Sequence, residues 1–578
     1  MKKTSALFEL PDFSLHAGAC AAAITEALET LSEKNAVLRL WRKEAPLWKE
    51  YPGLQNKIVD RLGWLTVLET MAGRAAEVAS FSEEILRKGF KEVVVIGMGG
   101  SSLCPELLAA TFKSRSGIRV RVLDTTDPGA ISRLDASLDL SKTLFILASK
   151  SGSTIEMISH YQYFDFRLRT SGIHKPEDHF SAITDEGSPL AKMALEKSFY
   201  KIFFNPTDIG GRFSALSFFG LVPGAISGMP VVPFLSRAGE MAERCRNQKV
   251  KENPGVLLGA ALGVLAQRGV DKATFFLPPE FSGLGAWLEQ LLAESTGKDG
   301  KGIVPVDGEP WGSPEVYGDD RFFVFWQMKD RIDPVMEGHI ALLQKEEKPV
   351  FRILLNEMND LSGEFFRWEI ATAVAGIVMG INPFDEPNVT ESKENTGKIL
   401  EGYKKSKTLP QRAPAVFDKG LVFFSGPETD GCATLEEALK KFFNRAKAGS
   451  YLAIQVYLAP SEEIHQGLTR LRAAIRERLR LATTVGYGPR FLHSTGQLHK
   501  GGKPVGLFMQ VTADDLLDLP IPGEVYTFGV LKQAQAMGDL GSLRRRNLPV
   551  IQIGLQGGMA GSPAEGLNRL AGIVEQLK

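Results

Sequence analysis

The chain has 578 residues, and at about 100 to 200 residues per domain it has room for three or four packing units. A composition of 44% hydrophobic and 24% charged residues excludes a disordered chain, and 68 basic against 68 acidic residues exclude a global positive field for nucleic acid or an anionic membrane. Cys20, Cys104, Cys245 and Cys432 lie far apart without CxxC spacing, which argues against a disulfide framework, a structural zinc site or a redox dithiol. The start lacks an apolar run of signal-peptide length before Pro11, and stretches such as Ile370 to Ile381 fall short of the roughly 18 residues a membrane span needs. A cytoplasmic, water-soluble protein is expected.

From about residue 16 to 90 the apolar residues Ala23, Ile24, Leu28 and Leu31 recur at helical spacing, predicting a helical N-terminal segment over 1–90. Val93 to Ile96 then run into glycines and a helix-like stretch, and further apolar runs follow at Val120 to Leu123, Leu144 to Ala148 and Ala182 to Thr184. Strands separated by helical segments predict βαβ units and a largely parallel sheet over 91–235. Pro230 to Pro233 and the basic stretch Arg244 to Asn253 look like a passage to a second α/β unit over 236–410. Its predicted strands are Ala273 to Leu277, Phe322 to Trp326 and Val350 to Leu355, its helices Leu284 to Glu294 and Glu364 to Met379, and a turn-rich section, Asn382 to Lys405, closes it.

Over 411–578, strands are predicted at Gly420 to Phe424, Leu452 to Leu458, Gly506 to Val511, Val525 to Gly529 and Val550 to Ile553, forming a third α/β unit or completing the second. Helix Leu468 to Leu481 carries five arginines beside the apolar stripe Leu468, Leu471, Ile475 and Leu479, so the arginines read as a solvated face. His499 and Lys500 read as solvated loop residues.

Two loops are suited to an anion. After the first strand, Gly97, Gly99, Gly100, Ser101 and Ser102 are small enough for backbone N–H groups at a helix start to converge on a phosphate. They also resemble a GxGxxG dinucleotide turn, with Ser102 at the third glycine position and Asp124 as a loose ribose acid. A tight β-to-α turn with Ser101 or Ser102 as cap explains the same residues. The second loop, Ser149, Lys150, Ser151, Gly152, Ser153 and Thr154, ends a strand with four hydroxyls and a lysine. Ser153 and Glu156 have capping-box spacing, but the run offers more donors than a cap requires. Two such loops at one end of a parallel sheet favour a phosphate-bearing small molecule over NAD.

The SKSGST loop resembles the phosphate-binding loop of sugar isomerase (SIS) domains. Gly210, Gly211, Arg212, Phe213 and Ser214 match the GGR[FY]S element of glucose-6-phosphate isomerases, and Glu294 to Lys298 match their ESxGK element. Gln290 falls where that family has a glutamine, and Phe384 to Lys393 resemble a degraded FDQxGVExxK element in which Glu386 replaces glutamine and Asn388 and Thr390 replace glycine and glutamate. The family's histidine usually follows ESxGK closely. Here FLHSTGQ occurs at Phe491 to Gln497, which makes His493 the candidate. The chain is similar to the isomerase portion of transaldolase/isomerase fusions, without a stretch long enough for a transaldolase barrel.

The resemblance implies two SIS-type doubly wound αβα domains with helical and C-terminal additions, and interconversion of glucose 6-phosphate and fructose 6-phosphate without metal or cofactor. Moving a proton between C1 and C2 needs a carboxylate base and a cation for the enediolate, roles that fall to Glu294 and Arg212. His493 and Lys393 would open the sugar ring, and Ser149, Lys150, Ser151 and Thr154 would hold the phosphate. Gly100, Ser101, Gly211, Gln290 and Glu386 complete the expected substrate contacts. A homodimer with shared active sites is implied. Two rivals stand beside this reading: a non-catalytic phosphosugar sensor, which needs neither Glu294 nor Arg212, and an NAD-dependent dehydrogenase using Gly97 to Ser102.

Overall fold

The computed structural model describes residues 7–113, 117–411, 413–418, 420–555 and 562–577. In the first sheet the strands Arg119–Leu123, Glu92–Gly97, Thr143–Ala148, Phe180–Asp185 and Lys201–Asn205 lie side by side in that order, all parallel. Numbered along the chain this is 2-1-3-4-5, a doubly wound order whose switch point lies between the first and third strands. Both faces are covered. Val93 and Val95 pack into one hydrophobic core while Val94 and Ile96, one residue out of phase, pack into another.

The second sheet runs Val304–Val306, Lys272–Phe276, Arg321–Met328 and Val350–Leu355 in parallel, then continues antiparallel through Phe13–His16 and Leu7–Leu10. The segment read as helical therefore opens with a hairpin before its helices, such as Ala21–Glu33 and Ala75–Arg87. Its strands are only four residues each, too short for periodicity to register, and are held by burial of Phe13 and Leu15 and by Arg244, whose two nitrogens donate to Asp12 at 2.6 and 2.9 Å. The region expected to be a passage at Pro230 carries the helix Val231–Arg244.

The C-terminal region is a third α/β unit. Ala482–Tyr487, Tyr451–Tyr457, Gly506–Ala513 and Val550–Leu555 are parallel and are extended antiparallel by Leu421–Phe424 and Pro414–Asp418. It has its own core, and it packs on both other units: Phe528, Leu531 and Ala534 join the core on one face of the first sheet, and Tyr451 and Phe508 share a cluster with Ala293 and Val304.

Four local expectations change. Val525 to Gly529 is no strand, because the Thr527 hydroxyl accepts from the Val530 N–H and starts the helix Phe528–Arg545. The turn-rich section holds the helix Thr390–Ser406, whose buried residues Ser392, Thr396 and Leu400 are spaced by four but mostly polar, so no apolar stripe marks it. The arginine-rich helix spans Glu462–Leu479, and Arg472 and Arg476 are buried in it rather than solvated. His499 and Lys500 lie buried on the short helix Gly496–Gly501, where Lys500 pairs with Asp539 at 2.6 Å.

Candidate active site

At the switch point of the first sheet a cavity of about 410 Å³ opens between the loops that follow its first and third strands. Every candidate from the sequence lines it: Gly100, Ser101, Ser149, Lys150, Ser151, Thr154, Gly211, Arg212, Gln290, Glu294, Glu386, Lys393 and His493. The first loop must be glycine where it meets the Gly210–Ser214 turn, since a Cβ at Gly100 would sit 1.9 Å from the Gly211 carbonyl oxygen. In the second loop, Gly152 adopts φ +66°, its N–H donates to Ser149 Oγ at 3.1 Å, and Ser149 Oγ lies 3.0 Å from Thr154 Oγ1. These hydroxyls surround the N-terminus of the helix Ile155–Thr170, where the aligned backbone dipoles favour an anion. Lys150 is tethered, donating to Asp185 Oδ2 at 2.5 Å and to the Thr207 carbonyl at 2.6 Å, so donors to an incoming phosphate come from hydroxyls and backbone more than from this ammonium.

Glu294 sits on the last turn of the helix Leu284–Thr296, almost fully buried. Burial pushes its carboxyl above the ordinary carboxylate range; Arg212 pulls it down and the neighbouring negative Glu386 pushes it up again. Gln290, one turn earlier, donates to Glu294 Oε2 at 3.1 Å and to the His493 carbonyl at 2.9 Å, so one amide ties the carboxylate to the histidine loop. The Arg212 guanidinium is anchored by donation from Nε to Ser295 Oγ at 2.8 Å and from Nη2 to the Pro383 and Asp385 carbonyls at 2.8 and 3.0 Å. Its Nη1 lies 3.0 Å from Glu386 Oε2 and 3.5 Å from Glu294 Oε1. Arg212 holds Glu386 below its ordinary value against the push of burial. Lys298 is buried beside them, donates to Asp385 Oδ1 at 2.8 Å, and is lowered to about 8 by burial and by Arg212.

His493 arrives from the third unit in the short turn Arg490–His493. Arg490 holds that turn, with Nη1 donating to Glu106 Oε2 at 2.7 Å and Nη2 to Asp124 Oδ1 at 2.9 Å. Asp124 is thus engaged and buried, not exposed to a ribose. His493 Nε2 stands 3.2 Å from Glu156 Oε1. A carboxylate only accepts, so Nε2 carries the hydrogen and Nδ1 is left to take or give a proton. Burial raises the Glu156 carboxyl, but the hydrogen bond from His493, together with its charge whenever the imidazole is protonated, more than offsets this and holds it below its ordinary value. Lys393 lies exposed at the rim, on the helix Thr390–Ser406.

Sequence reasoning missed Glu156, Arg61 and Asp185. Glu156 passed as a capping-box acid, yet Thr154 is the residue before the helix and no capping box forms. A carboxylate one turn beyond a phosphate loop and a histidine elsewhere in want of a partner were the available signal. Arg61 and Asp185 also line the cavity, and neither stands in a motif.

Residues 67–320 match the family model described as phosphoglucose isomerase. This segment is similar to that family over a little under half of the chain. The matched segment holds both anion loops, Arg212 and Glu294, and ends before Glu386, Lys393 and His493. Among curated proteins the chain is 27% identical over 389 residues to a probable glucose-6-phosphate isomerase of Methanococcus maripaludis, covering 61% of this chain and 86% of the relative. It is 28% identical over 391 residues to a glucose-6-phosphate isomerase of Carboxydothermus hydrogenoformans, covering 57% and 84%. Among solved structures it resembles a hypothetical protein of Thermus thermophilus (26% identity, TM-score 0.55, 67% of this chain and 97% of that one). A glucose-6-phosphate isomerase of Chlamydia trachomatis shares the fold at 20% identity and TM-score 0.59, covering 69% and 90%. Among the described residues no helix is long and apolar enough to cross a membrane.

Proposed function

We propose that this chain is a member of the phosphoglucose isomerase family that interconverts glucose 6-phosphate and fructose 6-phosphate, and that the three units divide the work. The first unit, over 91–235, holds the phosphate on the Ser149–Thr154 hydroxyls and the Gly99–Ser101 turn. The second, over 236–410, supplies the base Glu294. The third, over 411–578, supplies His493, which with Lys393 opens the sugar ring. Glu294 then takes the proton from C2 of the aldose or C1 of the ketose and returns it to the neighbouring carbon, while Arg212 stabilises the enediolate oxygen. Fixing the phosphate sets the distance from C1 and C2 to the carboxylate.

The observation that carries this reading is the closure of Glu294, Arg212 and His493, with Glu156 behind the histidine, around one phosphate-ready cavity. A sensor would need the hydroxyl loop alone, and a dinucleotide site would need Asp124 released from Arg490. All the groups come from one chain, so the homodimer implied by the family resemblance would join complete sites rather than share them. Burial of Arg472 and Arg476 takes two arginines of that helix away from any nucleic acid, and a cytoplasmic location agrees with the substrate.

Proton NMR of the purified protein with fructose 6-phosphate in D2O tests the reaction. Glucose 6-phosphate deuterated at C2 is expected without added cofactor. Binding of the sugar phosphate without product would turn the reading to a sensor.

A further inference from the structure

Behind His493 the chain of contacts continues into the protein. Glu156 Oε1, the atom that faces the histidine, also accepts from Gln535 Nε2 at 2.7 Å. Gln535 Oε1 in turn accepts from Thr126 Oγ1 at 2.7 Å. Gln535 is on the helix Phe528–Arg545 of the third unit, Glu156 on the helix after the third strand of the first sheet, and Thr126 in the loop after its second strand. Gln535, Glu156 and Thr126 are each less than 5% exposed.

This arrangement admits one orientation of the amide. Turned over, Gln535 would set its carbonyl oxygen against the Glu156 carboxylate, two acceptors with no hydrogen between them in a buried site. The Glu156 carboxylate, which only accepts, thus selects the orientation with Nε2 facing it, and the Thr126 hydroxyl donates to the amide oxygen on the other side. The carboxylate is then pinned from behind, and its rotation cannot carry Oε1 away from the imidazole without breaking a charge-assisted hydrogen bond.

We infer that Gln535 is a positioning residue for the proposed isomerase reaction: braced by Thr126, it aims Glu156 at His493 and so fixes the imidazole with hydrogen on Nε2 and Nδ1 open to the sugar. It touches no reacting atom. The inference rests on the reading of His493 as the ring-opening group, and it adds that the third unit supplies both the histidine and the brace for its carboxylate partner.

The test uses the full chain with Gln535→Met, which keeps length and loses both polar atoms, and Thr126→Val, which keeps shape and loses the hydroxyl. Steady-state kinetics with fructose 6-phosphate and 15N NMR of the His493 imidazole are both read. In the parent, the imidazole shifts should report one fixed tautomer with hydrogen on Nε2. In Gln535→Met the two nitrogens should move toward averaged shifts, and kcat should fall about tenfold with KM nearly unchanged, the loss expected of one hydrogen bond to a charged group. Thr126→Val should do the same to a smaller extent, and it carries the test if Gln535→Met does not fold. An unchanged imidazole spectrum in the folded variants overturns the inference, whatever happens to kcat. If the parent does not turn over fructose 6-phosphate, the isomerase reading falls, while the NMR comparison still decides whether Gln535 positions the pair.

Discussion

The second and third units share one topology and divide in chemistry. In each, four parallel strands lie in the order 2-1-3-4 and an antiparallel hairpin extends the sheet beyond the fourth, although the hairpin comes from residues 7–16 in one and 414–424 in the other. The difference lies in the loop after the second strand. In the third unit it carries Leu492 and His493 into the cavity. In the second unit it carries Asp307 to Trp311 and faces the third unit: Glu309 receives the buried Arg321 guanidinium and the Thr483 hydroxyl, while the carbonyls of Pro310 and Trp311 accept from Arg476. The same position in the fold is a docking clamp in one unit and carries the proposed catalytic histidine in the other, and the clamp sets the third unit where that histidine reaches the first. Fold alone therefore does not locate the chemistry.

Breaking the clamp should have the largest effect. Glu309→Ala leaves Arg321 buried without its anion and should destabilise the protein by about 3–5 kcal/mol in denaturant titration. Glu294→Gln keeps shape and removes the base, so kcat should fall at least about 100-fold while calorimetry still detects fructose 6-phosphate binding. His493→Ala should cost roughly 10- to 100-fold in kcat, since rings also open slowly in water. Glu386→Gln sharpens the comparison by pH. As the proposed base Glu294 works deprotonated, so activity should be lost as pH falls through its raised value; removing the negative neighbour lets that value drop, and the acidic limb of kcat/KM should move to lower pH. Thr154→Ala should have the smallest effect, a rise of several-fold in KM measured by the same kinetics.

Where residues are apolar and regularly spaced, the sequence and the structure agree: Val93 to Ile96, Leu144 to Ala148 and Phe322 to Trp326 are central strands, and the loops that follow the first two meet at one cavity. His493 was visible only through its FLHSTGQ neighbourhood, because neither period nor spacing links residue 493 to residue 294. Burial of polar groups was the main thing hidden. Arg472 and Arg476 look like any solvated helix face until Thr483 and the Pro310 carbonyl are brought against them, and Lys500 looks like a loop lysine until it meets Asp539. Glu156 was masked by a second explanation, a helix cap, that fits the same spacing. The helix Thr390–Ser406 escaped because its packed positions are Ser392 and Thr396, set against Gly538, where a Cβ would come within 2.8 Å of Thr396 Oγ1.

Mixing two inactive variants tests the central claim, that one chain closes its own site. Glu294→Gln and His493→Ala chains are unfolded together, refolded together and assayed for glucose 6-phosphate formation. With base and histidine in one chain, no mixture contains an intact site beyond the residual activity of each variant, and no recovery is expected. Recovery of a substantial fraction of parent activity would show that His493 serves a neighbouring chain's Glu294 and would contradict the account.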